Sequence, residues 1–332
     1  MTWKGDLLKA GISSDGTNVD VAGVLTTLGM PIGGTVFGNV YFVDYRNGLD
    51  TNNGETRDTA FKTLSAAVSA ATTNNNDVIF VDGDSTVVET AMIEITKNRL
   101  HIVGCNGPAG HMGNGAKVSL TATAGATNIA TMQNTGVRNT FSNIKWMNSS
   151  TVAEGIYCVA EGGEFSRYFN CEFYKDTDLD VTGAAELLNN GDTAMFYNCT
   201  FGSTANIIAD NKIRPNMLLT ATLSGKKCRD GYAENCLFLS KAGGTEHVAV
   251  YGANATDVER MLMFKDCTFL NNPLSAATPA HAVGFGAAQT QGAVFLKNCS
   301  SVDHTVMAQA AVGIYVDGAV PTFATSGVSV AS

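Results

Sequence analysis

Tyr168-Phe169-Asn170-Cys171-Glu172-Phe173 is the stretch that decides the fold, because the chain repeats it four more times. The copies are Phe196-Tyr197-Asn198-Cys199-Thr200-Phe201, Ala233-Glu234-Asn235-Cys236-Leu237-Phe238, Phe264-Lys265-Asp266-Cys267-Thr268-Phe269 and Leu296-Lys297-Asn298-Cys299-Ser300-Ser301. A weaker copy, Phe141-Ser142-Asn143-Ile144-Lys145-Trp146, precedes them. Measured at the Cys position, with Ile144 standing for it first, the steps are 27, 28, 37, 31 and 32 residues. Helical repeats hold one length and show long helical periods. Here the length drifts and the repeated unit is a short strand, in which Phe169, Cys171 and Phe173 are expected to share one face. The Asn or Asp before each Cys suits a tight bend between two strands.

These features predict an all-β chain: a single-stranded right-handed parallel β-helix, one coil per repeat, with coils stacked about 4.8 Å apart. Asn143, Asn170, Asn198, Asn235, Asp266 and Asn298 then form a polar ladder at a bend. Ile144, Cys171, Cys199, Cys236, Cys267 and Cys299 form an interior ladder beside it. The competing architecture is a β-sandwich, whose strands need not repeat one phrase in register.

Upstream, Val40-Tyr41-Phe42-Val43-Asp44 reads as a strand and Asn47–Gly54 as a turn-rich loop. Asp58 or Thr59 is placed to cap a helix over Ala60–Thr72, where Phe61, Leu64, Val68 and Ala71 line one side. Val78-Ile79-Phe80-Val81 and Leu100-His101-Ile102-Val103-Gly104 are strand-like, and His101 should face outward. Asp50-x-Asn52-x-Gly54 has the look of a cation loop but makes an equally good turn.

This opening resembles that of pectin-lyase-like β-helix proteins, which start with a Val-Asp strand, a Gly-x-Asp-x-Asn-x-Gly loop and a Phe-x-Thr-Leu-x-x-Ala helix. Many phage tailspikes and other virion surface proteins share it. The resemblance covers roughly residues 40–300 and implies a helix that plugs the N-terminal end of the solenoid, where open backbone groups need a cap. It divides the chain into residues 1–37 (attachment or capping segment), 38–305 (β-helix) and 306–332 (C-terminal cap or subunit-contact tail).

Composition limits the partners. A chain of 332 residues that is 45% apolar can bury a large core. Net charge is −9 and no cluster of Lys and Arg stands out, which argues against nucleic acid. Lys226-Lys227-Cys228-Arg229 reads as a solvated loop. No apolar run is long enough to span a membrane, and the first residues lack the apolar core of a signal peptide. Of eight Cys residues, five occupy one repeat position and none forms Cys-x-x-Cys. They are expected to be buried thiols, because stacked Cβ vectors run parallel, rather than disulfides or zinc ligands.

Polysaccharide-cutting relatives of this fold use clustered carboxylates, and Asp176, Asp178, Asp192 and Asp210 are the candidates for such a role. Asp176, Asp178 and Asp180 share one face if extended and are the candidate Ca²⁺ ligands, although the EF-hand Gly and Glu are missing. Asp192, Asp210, Arg214 and Asp230 fall in neighbouring coils and are candidates to converge. The Arg-x-Pro-x-x-Arg, Asn-Thr-Asp and Gly-His-Gly signatures of such enzymes are absent. Tyr174 and Tyr251 are candidate glycan contacts. The resemblance thus implies a virion structural protein, a tailspike or capsid decoration. It would be a homotrimer held to other virion proteins through its N-terminal segment, without cofactor or membrane insertion, and would meet host surface glycan. The alternative is a polysaccharide lyase or glycoside hydrolase, a depolymerase tailspike.

Overall fold

Asn143, Asn170, Asn198, Asn235, Asp266 and Asn298 all adopt the left-handed conformation, with φ between +50° and +58°. Each turns the chain between two strands in a single step. Asn and Asp tolerate this region better than other residues with a Cβ. The side chains run as a ladder: the Asn170, Asn198 and Asn235 Nδ2 atoms donate to the Oδ1 one coil below at 3.2, 3.3 and 2.8 Å. Asn298 Nδ2 donates to Asp266 Oδ1 at 2.5 Å.

The computed structural model describes residues 12–14, 19–21, 25–27, 30–32, 38–83, 89–107, 109–110, 115–121, 129–151, 155–176, 183–204, 213–220, 227–272, 277–310, 313–317 and 328–330. Three sheets run the length of the solenoid. Sheet I has eight strands, from Ile93–Ile95 to Val306–Ala308. Sheet II has ten, from Val40–Asp44 to Ile314–Val316. Sheet III has eight, from Ala116–Leu120 to Val328–Val330. Every pairing is parallel except the last, where Val328–Val330 runs antiparallel to Ser300–Val302 and closes the end of sheet III. Two short antiparallel pairs, Ile12–Ser14 with Val19–Val21 and Leu25–Thr27 with Met30–Ile32, precede the solenoid. The fold is an all-β right-handed parallel β-helix.

The left-handed bend corrects the expected face assignment. It resets the alternation, so Tyr168, Cys171 and Phe173 point inward while Phe169 lies outside, stacked on Tyr197 at 5.1 Å. Inside, Phe173, Phe201, Phe238 and Phe269 form a column with centroids 4.7 to 4.9 Å apart. Tyr168 is sandwiched between Phe141 (4.6 Å) and Phe196 (5.0 Å). The parallel stack thus converts sequence period into ring stacking.

The Cys ladder is interior, with Cys171, Cys199, Cys236, Cys267 and Cys299 all buried. Cys158 and Cys228, outside the ladder, are also buried, and all eight thiols are free. Cys105 alone is exposed. Titration with a thiol-specific chromogen should therefore find one reactive group in the native protein and eight in denaturant. Rapid native reaction of the ladder thiols would contradict the burial.

The helix is shorter than the pattern suggested, Leu64–Ala70, and its N-cap is Thr63 rather than Asp58 or Thr59. Asp50 explains the shift. Its carboxylate accepts from Lys62 N (2.9 Å), Thr63 N (2.8 Å) and Thr63 Oγ1 (3.0 Å), holding residues 62–63 outside the helix. The Asp50 loop thus serves as a turn and a support. Buried Glu89 accepts from Leu64 N (2.8 Å), Ser65 Oγ (2.8 Å) and Tyr45 OH (2.5 Å). Leu64, Ala67 and Val68 face the strands of the first coils and join the core that continues to Ala308.

Candidate functional site

Two near copies, Val40-Tyr41-Phe42-Val43-Asp44 and Val78-Ile79-Phe80-Val81-Asp82, pair residue for residue in sheet II. Their register sets Asp44 beside Asp82 at the strand ends. The outer face of sheet III begins next to them. There Lys117, Lys145 and Glu172 are register neighbours, as are Met147 and Tyr174. These side chains point outward because Val118, Trp146 and Phe173, alternating with them, fill the core. Between the two sets lies a groove of about 690 Å³, lined by Asp44, Arg46, Asp82, Lys117, Lys145, Tyr174 and Asp176 among others.

The groove's polar atoms are held in place. Tyr174 OH donates to Asp176 Oδ1 at 2.8 Å. Burial, then Asp176, pushes the phenol up to about 12, so it stays a hydrogen-bond donor at neutral pH. Lys145 Nζ donates to Glu172 Oε1 at 2.8 Å and lies 4.9 Å from the Tyr174 ring centroid. Burial raises the Glu172 carboxyl, with Lys145 opposing. Asp44 accepts from Arg46 N (2.8 Å) and Asn47 N (2.9 Å); burial raises its carboxyl, but these donations bring it below the ordinary value. Asn106 Nδ2 donates to Asp82 Oδ1 at 3.1 Å. Among the described residues three carboxylates and three cations line the groove, so these offer oriented donors and acceptors of balanced charge. That chemistry suits a polyhydroxyl ligand resting on an aromatic ring.

Of the other sequence candidates, Asp178, Asp180 and Asp210 lie outside the described residues. Asp192 does not meet Arg214. It follows the sheet I strand Ala185–Asn189, whereas Arg214 precedes the adjacent, parallel strand Met217–Leu219, so the two lie off opposite ends of neighbouring strands. Asp192 is held by Arg229, whose Nε donates to it at 3.0 Å, and this bond keeps its carboxyl below the ordinary value. Asp230 pairs with Arg260. Of the stretch read as a solvated loop, Lys226 lies outside the described residues, Lys227 and Arg229 do reach solvent, and Cys228 between them is buried, with Arg229 an ion-pair partner. Tyr251 is half-buried and packs against a small apolar cluster on the outer face of sheet I that contains Tyr157, Leu188 and Leu218. Among the described residues no group of three or more His, Cys, Asp or Glu side chains is placed to hold a metal ion.

Sequence reasoning passed over Asp44, Asp82, Lys117 and Lys145. The twin Val-Asp strand endings carried the signal for the first two; nothing local marked the lysines.

No family model and no curated protein matches the chain by sequence. By structure it resembles the pectate lyase Pel9A (TM-score 0.53, 12% identity), across 80% of this chain and 64% of that enzyme. It therefore spans a little under two thirds of that lyase. It also resembles the pectin methylesterase from Aspergillus niger (TM-score 0.51, 13% identity), across 85% of each chain. A pectin methylesterase in complex with a hexasaccharide aligns with a TM-score of 0.52 and 13% identity over 88% of this chain and 84% of that one. At such identities the likeness establishes one thing: this chain has the pectin-lyase-like parallel β-helix fold.

Proposed function

We propose that the chain is a glycan-binding, non-enzymatic β-helix displayed on a bacteriophage particle, a homotrimer attached through residues 1–37. The observation that carries the binding is the groove at Tyr174, where a ring, an oriented phenol and six charged side chains of balanced sign face solvent on a rigid sheet. The virion assignment rests on the resemblance of residues 40–104 to the opening of phage tailspikes. The candidate carboxylates Asp176 and Asp192 are engaged separately, one by Tyr174 and one by Arg229, which favours binding over acid–base catalysis.

Tyr174→Ala is expected to weaken binding to a host-surface oligosaccharide at least about tenfold, through loss of ring contact and donor, with the melting temperature little changed. Isothermal titration calorimetry measures this. Unchanged affinity would remove the groove from the reading, and a monomer in light scattering at high concentration would remove the trimer.

A second reading, a polysaccharide lyase or hydrolase, is favoured by one observation. Asp44 and Asp82 are neighbours in register within the groove, and the solved structures that resemble this chain include a pectate lyase and pectin methylesterases. Shortening of a host polysaccharide that is abolished by Asp82→Ala or Asp176→Ala would establish it.

A further inference from the structure

A second groove, of about 330 Å³, lies on the outer face of sheet II and is lined by Asn76, Arg99, His101, Arg138, Thr140, Phe165 and Arg167. We infer that it binds the acid groups of a uronate-bearing glycan, with Arg99, Arg138 and Arg167 as the anion ligands and Phe165 as the sugar platform. This rests on the glycan-binding reading above and names the class of glycan.

Three observations carry the inference. The first is charge. Among the described residues, three arginines and no carboxylate line this groove, in a chain of net charge −9. Further along the same bend the arginines are matched, Arg229 with Asp192 and Arg260 with Asp230. The basic field is therefore local, and a planar guanidinium fork fits a carboxylate with two parallel hydrogen bonds.

The second is geometry. Arg99, Arg138 and Phe165 occupy one position of three successive coils: Arg99 N donates to Val137 O (2.9 Å), Arg138 N to Glu164 O (2.7 Å) and Phe165 N to Asp192 O (2.8 Å). Arg167 and His101 flank Thr140 in the adjoining strands. The Arg99 and Arg138 positions are thus one coil apart, about 4.8 Å, and Arg167 stands a further coil along and two residues into its strand, so the three can meet more than one acid group of a linear polymer. Phe165 is 44% exposed, and the Arg138 guanidinium lies 5.8 Å from its ring centroid.

The third is strain. Arg99, Arg138 and Phe165 all have positive φ, +56°, +61° and +56°. Asn76 begins the same column at +56°, and the bend between sheets II and III meets the same demand with Asn or Asp in every copy. Left-handed backbone is costly for Arg and Phe, on the order of 1 kcal/mol each. The column continues beyond the groove through Thr193 (+58°) and Asp230 (+52°), so the left-handed turn itself is a demand of the fold; particular to the groove is that two arginines and a phenylalanine stand where Asn or Asp would fold more cheaply.

A nucleic acid would use the same arginines and ring, but its longer phosphate track would run along the bend onto the matched pairs Arg229–Asp192 and Arg260–Asp230, whose cations are already neutralised, so the glycan is favoured. The test uses the whole chain and four probes in calorimetry: tetragalacturonate, neutral maltotetraose, a host-surface oligosaccharide and an oligothymidylate. Tetragalacturonate is expected to bind, with affinity falling as salt rises, and maltotetraose at least about tenfold more weakly. Arg138→Asn and Phe165→Asn should each weaken tetragalacturonate binding about tenfold while the melting temperature holds or rises, because asparagine relieves the strain. Arg138→Lys should recover only part of the affinity. Unaltered affinity in the asparagine variants, or an oligothymidylate bound as tightly as the uronate, overturns this inference alone. If the host oligosaccharide still binds through Tyr174, the glycan reading survives that failure. Absence of binding to every saccharide overturns both.

Discussion

Replacing Glu161 by alanine is expected to destabilise the solenoid by about 3–5 kcal/mol, the range for stripping the partner from a buried, hydrogen-bonded charge network. Glu161 is fully buried at the C-terminal end of its sheet I strand. Its Oε1 accepts from Gly163 N (2.6 Å), Ser166 Oγ (3.1 Å) and Asn134 Nδ2 (3.1 Å). Its Oε2 accepts from Asn134 Nδ2 (2.9 Å) and from Tyr168 OH. Burial raises the carboxyl, and these donations oppose the rise. Alanine leaves the donors facing one another in a cavity beside the Phe141–Tyr168–Phe196 stack. Glu161→Gln keeps the volume but turns an amide N–H₂ toward donors, so it should lose about half as much. Equilibrium urea unfolding of the three proteins at one pH checks the order. A loss below about 1 kcal/mol for alanine would mean the network is not satisfied by the carboxylate.

Acid should act on the other end of the interior. His247 and His304 are both fully buried, and the Nε2 of each has no hydrogen-bond partner among the described residues. Burial, and for His247 also the proximity of His304, lowers them from 6.5 to about 3 and about 4. Their folded-state values are depressed, so the unfolded chain takes up protons first as pH falls. The stability they permit is whole above pH 6.5 and is lost on acidification toward pH 4 and below. At about 1.4 kcal/mol per pH unit per group, the pair costs on the order of 5 kcal/mol by pH 4.5. Glu186 works in the opposite sense: burial raises it from 4.5 to about 6, so its contribution is recovered over that same interval as pH falls. It is worth about 2 kcal/mol, the smaller effect. Glu161, Glu89 and Glu172, also raised by burial, act in its direction. The clean comparison is therefore between the native chain and the double variant His247→Gln, His304→Gln. From pH 7 to 4.5 the variant should lose about 5 kcal/mol less, measured by urea unfolding. Parallel pH profiles would show that the imidazoles take up protons in the folded state.

The architecture was legible because a parallel β-helix writes its geometry into the chain. Each coil must bend where Asn170 and its equivalents bend, and each must bury a side chain where Cys171 does, so the requirement recurs in the sequence. Which side of Asn170 faces inward was not legible. Alternation predicts Phe169 inside, and a single left-handed residue, whose φ no sequence pattern states, puts Tyr168 there instead. The helix cap was misjudged for a similar reason, since Asp50 reaches residues 62 and 63 from 12 and 13 positions away.

The sites depended on another kind of information. Asp44 and Asp82 stand 38 residues apart in the chain and side by side in the sheet. Arg99, Arg138 and Arg167 are scattered singly through the sequence, which therefore suggested no basic cluster, yet stacking sets them in one groove. By itself the sequence determined the coil, its bends and its buried ladder, because those are demands that every turn repeats. Only the tertiary structure decided which charges meet, because the loops between copies differ in length and a side chain's neighbours are one coil away, not one residue away.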